Sequence, residues 1–225
     1  MQLLINHLTR MQPGYICTAG LELTTGQPIR PVAGGGLKRE LLAEEGGCLA
    51  LGVVLELGPT QFAGRVPEIE DRQCDPTQFQ VVEHLDPTEF LARNSQQAQE
   101  TLADVFGGEL QPHGHTRAIP QNHGLRSLGC CWGSACQLVV VDRGRGPRLK
   151  LQWHDRDGEL LIAVADWRFY EADHHSLRID RIQLANQQLA QSPRTLLAVG
   201  LSRPYRRSES DPPMHWLQIN NLLSM

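Results

Sequence analysis

The strongest sign of chemistry in the sequence is a run of cations followed by a segment that mixes arginine with aromatic rings. The candidates are Arg143, Arg145, Arg148 and Lys150 within eight residues, then Arg168 and Tyr170. Proteins hold a single nucleic-acid strand with cations that follow its phosphates and rings that stack on its bases. The pattern predicts such a surface, and the alternative is that the rings are core and the cations keep a turn hydrated.

A glycine-rich segment near the start offers a second possible phosphate contact. Gly34-Gly35-Gly36 precedes Lys38 and Arg39, so backbone N–H groups and two cations could surround a phosphate at the start of a helix. The Gly-Lys-Ser/Thr ending of a P-loop is absent, and a flexible loop is the alternative. Arg30 lies between Ile29 and Pro31 in a segment predicted to be an edge strand, so we expect it to reach solvent.

Histidines and cysteines between residues 113 and 136 raise the question of zinc. The possible ligands are His113, His115, His123, Cys130, Cys131 and Cys136. A Cys-x-x-Cys pair is absent and the spacing is loose for a zinc site, which favours an ordinary polar loop. We therefore predict neither a metal nor a cofactor.

Asp173-His174-His175 resembles the name motif of the DHH phosphoesterases, which activate water with metal ions. With His113 and His115 these residues would form a metal-dependent phosphodiesterase. That chemistry needs further aspartate motifs on separate strands, and the chain does not present them in order. We expect a protein that is not an enzyme.

Charge is unevenly distributed along the chain. The net charge is −4, yet residues 40–110 contain three basic and fourteen acidic side chains. An acidic segment of this kind could dock on a basic surface of an effector or nucleoprotein, which is the main alternative function.

The sequence predicts that the elements positioning these residues are mostly β-strands. Residues 15–32 form two alternating apolar runs around Thr25-Gly26, which predicts a β-hairpin. Further strands are predicted at 3–6, 46–58 and 79–84. Asp86 and Pro87 predict a helix over 87–93, Ser95 is predicted to cap a second helix, and 109–127 is expected to be a loop.

The C-terminal part is predicted to be a series of short strands that suits a small barrel, or equally a sandwich. The strands are expected at 137–142, 148–153, 160–169, 175–182, 195–203 and 215–222.

Several segments resemble motifs of the bacterial dual OB-containing domain family. They are Ala19-Gly20, 29–32, 165–170, 175–180, 196–205 and 214–223. The resemblance covers about residues 1–60 and 135–225 and implies two OB barrels and nucleic-acid binding, without naming a reaction. The predicted fold is two OB-like β-barrels, at 1–85 and 131–225, joined by a short helical segment and a loop over 86–130.

Taken together, these features predict a non-catalytic nucleic-acid-binding module, an accessory subunit of a larger nucleoprotein or defence complex. Its partners would be DNA or RNA and an effector protein. The sequence has no apolar run near the roughly 18 residues of a membrane span, and Met1–Leu8 lacks the features of a signal peptide. We expect a cytoplasmic protein with reduced cysteines.

Overall fold

The structure is a computed structural model that describes residues 1–142, 144, 146–155 and 158–224, without the Asp155 side chain. The N-terminal half forms one sheet of β1 (Gln2–Arg10), β2 (Tyr15–Glu22), β3 (Pro28–Val32), β4 (Leu37–Lys38), β5 (Val53–Glu56), β6 (Gln61–Phe62), β7 (Asp71–Gln73) and β8 (Gln80–His84). Its strand order is β6-β7-β3-β2-β1-β5-β8, and β4 pairs with β2. Short 3-10 helices lie at Arg39–Leu41, Ala43–Glu45 and Pro76–Gln78.

The N-terminal hairpin is confirmed. β2 pairs antiparallel with β3, and Gly26 takes a positive φ of 70° in the turn. Gly20 is required where β2 crosses β1, because a Cβ at this position would overlap the carbonyl oxygen of Leu4. The expectation that Arg30 lies on an edge strand is wrong. β3 also pairs in parallel with β7, so Arg30 has strands on both sides.

The C-terminal half contains a closed five-stranded barrel. Its sheet comprises β9 (Ala98–Gln99), β10 (Gln111–His113), β11 (Thr116–Pro120), β12 (Leu128–Asp142), β13 (Pro147–Asp155), β14 (Gly158–Val164), β15 (Arg194–Leu201) and β16 (Met214–Leu222). The order β16-β14-β13-β12-β15 closes through the pairing of β15 with β16. The protein is therefore mostly β, as predicted.

The helices begin where side chains cap them. In α1 (Pro87–Gln97), the Asp86 carboxylate accepts from the backbone N–H groups of Thr88 and Glu89, as predicted. The second predicted cap is wrong, because Ser95 lies inside α1 and its hydroxyl donates to the Leu91 carbonyl. Thr101 caps α2 (Leu102–Phe106) instead, by accepting from the N–H of Asp104.

A third helix replaces the strand predicted at 175–182. It is α3 (Ile179–Gln191), which follows a 3-10 helix at Trp167–Phe169 and connects β14 to β15. Its buried stripe of Ile182, Ala185 and Leu189 has helical spacing and packs in the barrel core. The side chain of Asn186 joins it to β12 through hydrogen bonds with both backbone groups of Leu138.

The predicted loop at 109–127 is also partly wrong. It contains the hairpin β10–β11, and β11 extends the sheet by pairing with β16. β12 begins at Leu128, so the expected domain boundary at residue 130 falls inside a strand.

The two halves share a small apolar core and a set of polar contacts. Leu4 and Val54 of the first half pack with Cys130 and Leu196 of the second. Beside them, the buried Asn221 side chain accepts from the N–H of Leu8 at 2.6 Å and donates to its carbonyl oxygen at 3.1 Å. The Asn221 amide thus gives the backbone of β1 at Leu8 the two hydrogen bonds that a neighbouring strand normally provides.

Candidate nucleic-acid interface

The outer surface of the closed barrel displays the predicted cations of β13. Successive side chains of a strand point to opposite faces, and Leu149 and Leu151 are buried in the core. Arg148 and Lys150 therefore face outward, with Arg148 exposed and Lys150 half-buried.

The outer surface continues from β13 towards β16. Lys150 pairs with Ala163 of β14, and Ala163 pairs with Gln218 of β16. Adjacent strands are roughly 4.8 Å apart, so Gln218 lies about 10 Å across the sheet from Lys150. Ala163, which lies between them, is exposed and has a small side chain, so the surface is recessed at the middle of this row. We call the row Lys150, Ala163 and Gln218, together with Arg148, the barrel face.

Arg143 and Arg145, the remaining predicted cations of this hairpin, lie outside the described residues.

The connection from β15 to β16, residues 202–213, carries a cationic and aromatic group that the sequence analysis missed. The Arg207 guanidinium lies 3.3 Å from the ring centre of Trp216, whose Nε1 donates to the Tyr205 carbonyl oxygen. Arg206 and the Tyr205 ring are exposed, the latter by 47%. The signal was present in the sequence, since three arginines surround Tyr205 within five residues.

Tyr170, predicted to stack on a base, is a core residue. Its hydroxyl donates to the Val164 carbonyl oxygen at 2.7 Å, and the Arg10 guanidinium lies 4.1 Å from its ring centre. Burial raises the pKa of Tyr170. A ring that is 4% exposed has no open face for a base.

Arg168 is held by the protein itself rather than displayed for phosphate. Its Nε and Nη2 donate to the two oxygens of the buried Asp166, and Nη2 also donates to the Leu222 carbonyl oxygen. Burial opposes the charge of Arg168, but the contact with Asp166 outweighs it and raises the pKa.

The three N-terminal candidates belong to the other half of the molecule, Arg30 and Lys38 on strands and Arg39 in a 3-10 helix, and they do not form one phosphate site. Arg30 is buried against Asp71. Lys38 lies over the Tyr15 ring and donates to its hydroxyl, and Arg39 forms an ion pair with Glu45 at 2.7 Å.

The candidate metal ligands are dispersed. Cys130 packs in the core shared by the halves, whereas Cys131, on the other face of β12, packs inside the barrel. Burial raises the pKa of Cys130 to about 12 and that of Cys136 to about 11, which disfavours thiolate ligands. Within the described ranges, no three His, Cys, Asp or Glu side chains are grouped as a metal would require.

The Asp173-His174-His175 motif forms a turn. The Asp173 carboxylate accepts from the N–H groups of His175 and Ser176 and from the Ser176 hydroxyl, and these bonds lower its pKa to about 2. His174 is buried, with its ring beside the Met11 carbonyl oxygen.

Many acids of segment 40–110 are engaged within the molecule. Intramolecular ion pairs join Glu45 to Arg39, Glu56 to the amino terminus, Glu68 and Asp71 to Arg203, Glu89 to Arg93, and Glu100 to Arg194. The buried Glu70 accepts from Ser127 and from the N–H of Leu128. Many of the carboxylates in this segment are therefore paired within the protein, which reduces the anionic surface that the segment could present to a basic partner.

No family model, curated protein or solved structure matches the chain. In the part of the chain that the structure describes, no helix is both long and apolar enough to cross a membrane. What distinguishes the surface is the barrel face and the neighbouring loop 202–213, where cations and an exposed ring lie on one barrel.

Proposed function

We propose that the protein is a non-catalytic nucleic-acid-binding protein that holds a single strand on the barrel face. The strands lie in the order β12-β13-β14-β16-β15, and α3 connects β14 to β15, which are third and fourth in sequence. This arrangement corresponds to the five-stranded OB fold. OB folds bind oligonucleotides with their second and third strands and with the loops that follow the first and fourth strands. Among the described residues of this barrel, those regions are β13, β14 and loop 202–213.

The proposal depends on one observation: the regions with which OB folds bind oligonucleotides are the regions of this barrel where cations face outward. Arg148 and Lys150 lie on β13, and Arg206 and the exposed Tyr205 ring lie on loop 202–213. Cations beside a ring are the combination that binds a strand without regard to sequence.

The N-terminal sheet supports a second, modified OB-like unit, as the resemblance to the dual OB-containing family implies. β1 pairs with β2 and β5, as a first OB strand does with the second and fourth. The fifth strand of an OB fold pairs with both the third and the fourth. Here two strands share these pairings, because β7 pairs in parallel with β3 and β8 pairs antiparallel with β5. This half carries no comparable exposed group of cations among its described residues. Its main role would be structural, through its contacts with the barrel half.

The net charge of −4 means that binding depends on local phosphate contacts rather than on the overall field. A protein of this kind suits an accessory subunit in a nucleoprotein complex, and its ligand can be DNA or RNA.

The test measures affinity for labelled single strands by fluorescence anisotropy over a range of salt concentrations. Each lost phosphate contact lowers the slope of log affinity against log salt by about 0.7, so Arg148→Ala, Lys150→Ala and Arg206→Ala together should lower it by about 2. Tyr205→Ala should cost about 1–3 kcal/mol of affinity with little change of slope.

The control variants are Arg93→Ala and Arg181→Ala, which remove exposed arginines from α1 and α3, outside the interface. They should leave both the affinity and the slope unchanged. Absence of salt-dependent binding by the wild type at low salt, to single strands and duplexes alike, would reject the proposal. An equal loss in the control variants would assign the binding to general charge instead.

A further inference from the structure

Arg203, near the start of loop 202–213, joins this loop to the N-terminal half. Its Nη1 lies 3.0 Å from Oε1 of Glu68, and its Nη2 donates to Oδ2 of Asp71 at 2.8 Å. The two carboxylates are almost completely buried, whereas the Arg203 side chain is 55% exposed. The loop that carries part of the proposed interface is therefore bonded to the half of the molecule that lies outside that interface.

The two carboxylates are themselves fixed in place. Asp71 belongs to β7, which pairs with β3, and its Oδ1 accepts from Nε of the buried Arg30 at 2.5 Å. Oε1 of Glu68 lies 3.6 Å from Nδ1 of His215 in β16, and the same Nδ1 lies 2.9 Å from the carbonyl oxygen of Ser202. The N-terminal half thus contacts the chain at both ends of the loop.

The backbone between Arg203 and Tyr205 is short and constrained. Pro204 fixes its own φ and restricts Arg203 to extended conformations. Tyr205 exchanges two backbone hydrogen bonds with Met214, at 3.1 and 3.2 Å. A shift of Arg203 would therefore displace Tyr205 and, next to it, Arg206.

The alternative role for Arg203 is direct contact with a phosphate of the bound strand, since half of its side chain is exposed. Its charge is already balanced by Glu68 and Asp71 at 3.0 and 2.8 Å. A phosphate that approached Arg203 would also approach these two carboxylates, and like charges repel. The surroundings of Arg203 therefore favour holding the loop over contacting phosphate.

We propose that Arg203 is a positioning residue for the interface. Its ion pairs with Glu68 and Asp71 hold loop 202–213 beside the barrel face. Tyr205 and Arg206 are thereby kept where a bound strand can reach them. Preorganising a loop raises affinity, because binding then orders fewer groups. The inference rests on the proposed function and gives the N-terminal half a specific part in it.

The first test removes one carboxylate and measures the affinity for labelled oligo(dT) by anisotropy. Glu68→Gln keeps the shape of the side chain but removes its charge, and Glu83→Gln, at an exposed site of β8, is the matched control. If Glu68 only offset the charge of Arg203, its removal would raise the affinity for a polyanion. The positioning role predicts the opposite sign: Glu68→Gln should lower the affinity by about fivefold, and Glu83→Gln should not lower it.

The second test asks whether Arg203 acts through the loop, and it stands alone where Glu68→Gln does not fold. Arg203→Gln should lower the affinity of the otherwise wild-type protein by about tenfold, within the range for the loss of one stacked base. In a background that already carries Tyr205→Ala and Arg206→Ala, it should change the affinity by less than about twofold, because the contacts that it positions are gone. An equal loss in both backgrounds would show direct contact with the strand and overturn the proposal, as would a rise in affinity for Glu68→Gln.

Trypsin cleavage of the free protein follows the loop without a nucleic acid. Trypsin cuts after Arg206 and Arg207, whereas the bond after Arg203 is resistant because proline follows, so Arg203→Gln removes no cleavage site. Cleavage within the loop should be severalfold faster in Arg203→Gln and Glu68→Gln than in Glu83→Gln, because a released loop opens more often.

The two readouts separate the possible failures. Unchanged cleavage would overturn the claim that these contacts hold the loop, and faster cleavage with unchanged strand affinity would overturn its part in binding. Absence of strand binding by the wild type would reject the proposed function and the positioning role with it, while the trypsin result would still show whether the contacts hold the loop.

Discussion

The Asn221 side chain is the sharpest test of how the two halves are joined. It is fully buried, and its amide bonds both backbone groups of Leu8, at 2.6 and 3.1 Å. Asn221→Ala leaves a buried N–H and a buried carbonyl unpaired. Each such group costs about 1–3 kcal/mol, so the expected loss is about 2–6 kcal/mol of unfolding free energy. This is a large part of the 5–15 kcal/mol typical of a folded domain.

Urea unfolding followed by tryptophan fluorescence and by circular dichroism measures this loss. Trp167 packs against the N-terminal core, Trp132 against the core that the halves share and Trp153 inside the barrel, so fluorescence reports on packing in both halves, whereas circular dichroism reports on their strand content. Coincident transitions in the wild type indicate that the halves unfold together. Gln187→Ala, at an exposed helical site, should change the free energy by less than about 0.5 kcal/mol. A similarly small effect of Asn221→Ala would refute the role given to this side chain.

Three further variants test individual features. Tyr170→Phe removes the hydrogen bond to the Val164 carbonyl oxygen and should lower thermal stability by about 1 kcal/mol without changing strand affinity, as measured by melting and by anisotropy. Asp173 has a folded pKa of about 2, below its usual value, so its stabilising bonds are present above the unfolded pKa and are lost as the pH falls through about 2. The stability difference between wild type and Asp173→Asn should therefore shrink in melts taken from pH 5 down to pH 2, and a constant difference would contradict the cause given for the shift. Gly20→Ala places a Cβ against the Leu4 carbonyl oxygen and should reduce soluble expression or lower the melting temperature, whereas Gly34→Ala, where a Cβ meets nothing within 4 Å, should be tolerated.

Several elements could be predicted because their signals are local. The turn at Gly26, the cap at Asp86 and the apolar alternation along β13 each reflect a few neighbouring residues, and the structure agrees at each. The helix α3 had an equally local signal in the spacing of Ile182, Ala185 and Leu189, so the strand expected there was an error of interpretation.

The positions that could not be predicted depend on residues far away in the chain. Whether Arg30 meets solvent was decided by β7, which begins 41 residues later and covers it with Asp71. Tyr170 is buried because its hydroxyl bonds the Val164 carbonyl oxygen and the Arg10 guanidinium lies over its ring. A cleft of about 660 Å³, lined by residues of β1 to β3 and of β15 and β16, exists only because these distant strands pack side by side.

The sequence by itself determined that the chain is mostly β and which strand faces are apolar, because these depend on periodicity along the chain. Only the tertiary structure decided which cations are displayed and which are buried. Apolar alternation shows that one face of a strand joins a core, but it does not show what packs on the opposite face. For Arg148 that face remains exposed, whereas for Arg30 a second sheet segment and the other half of the molecule cover it.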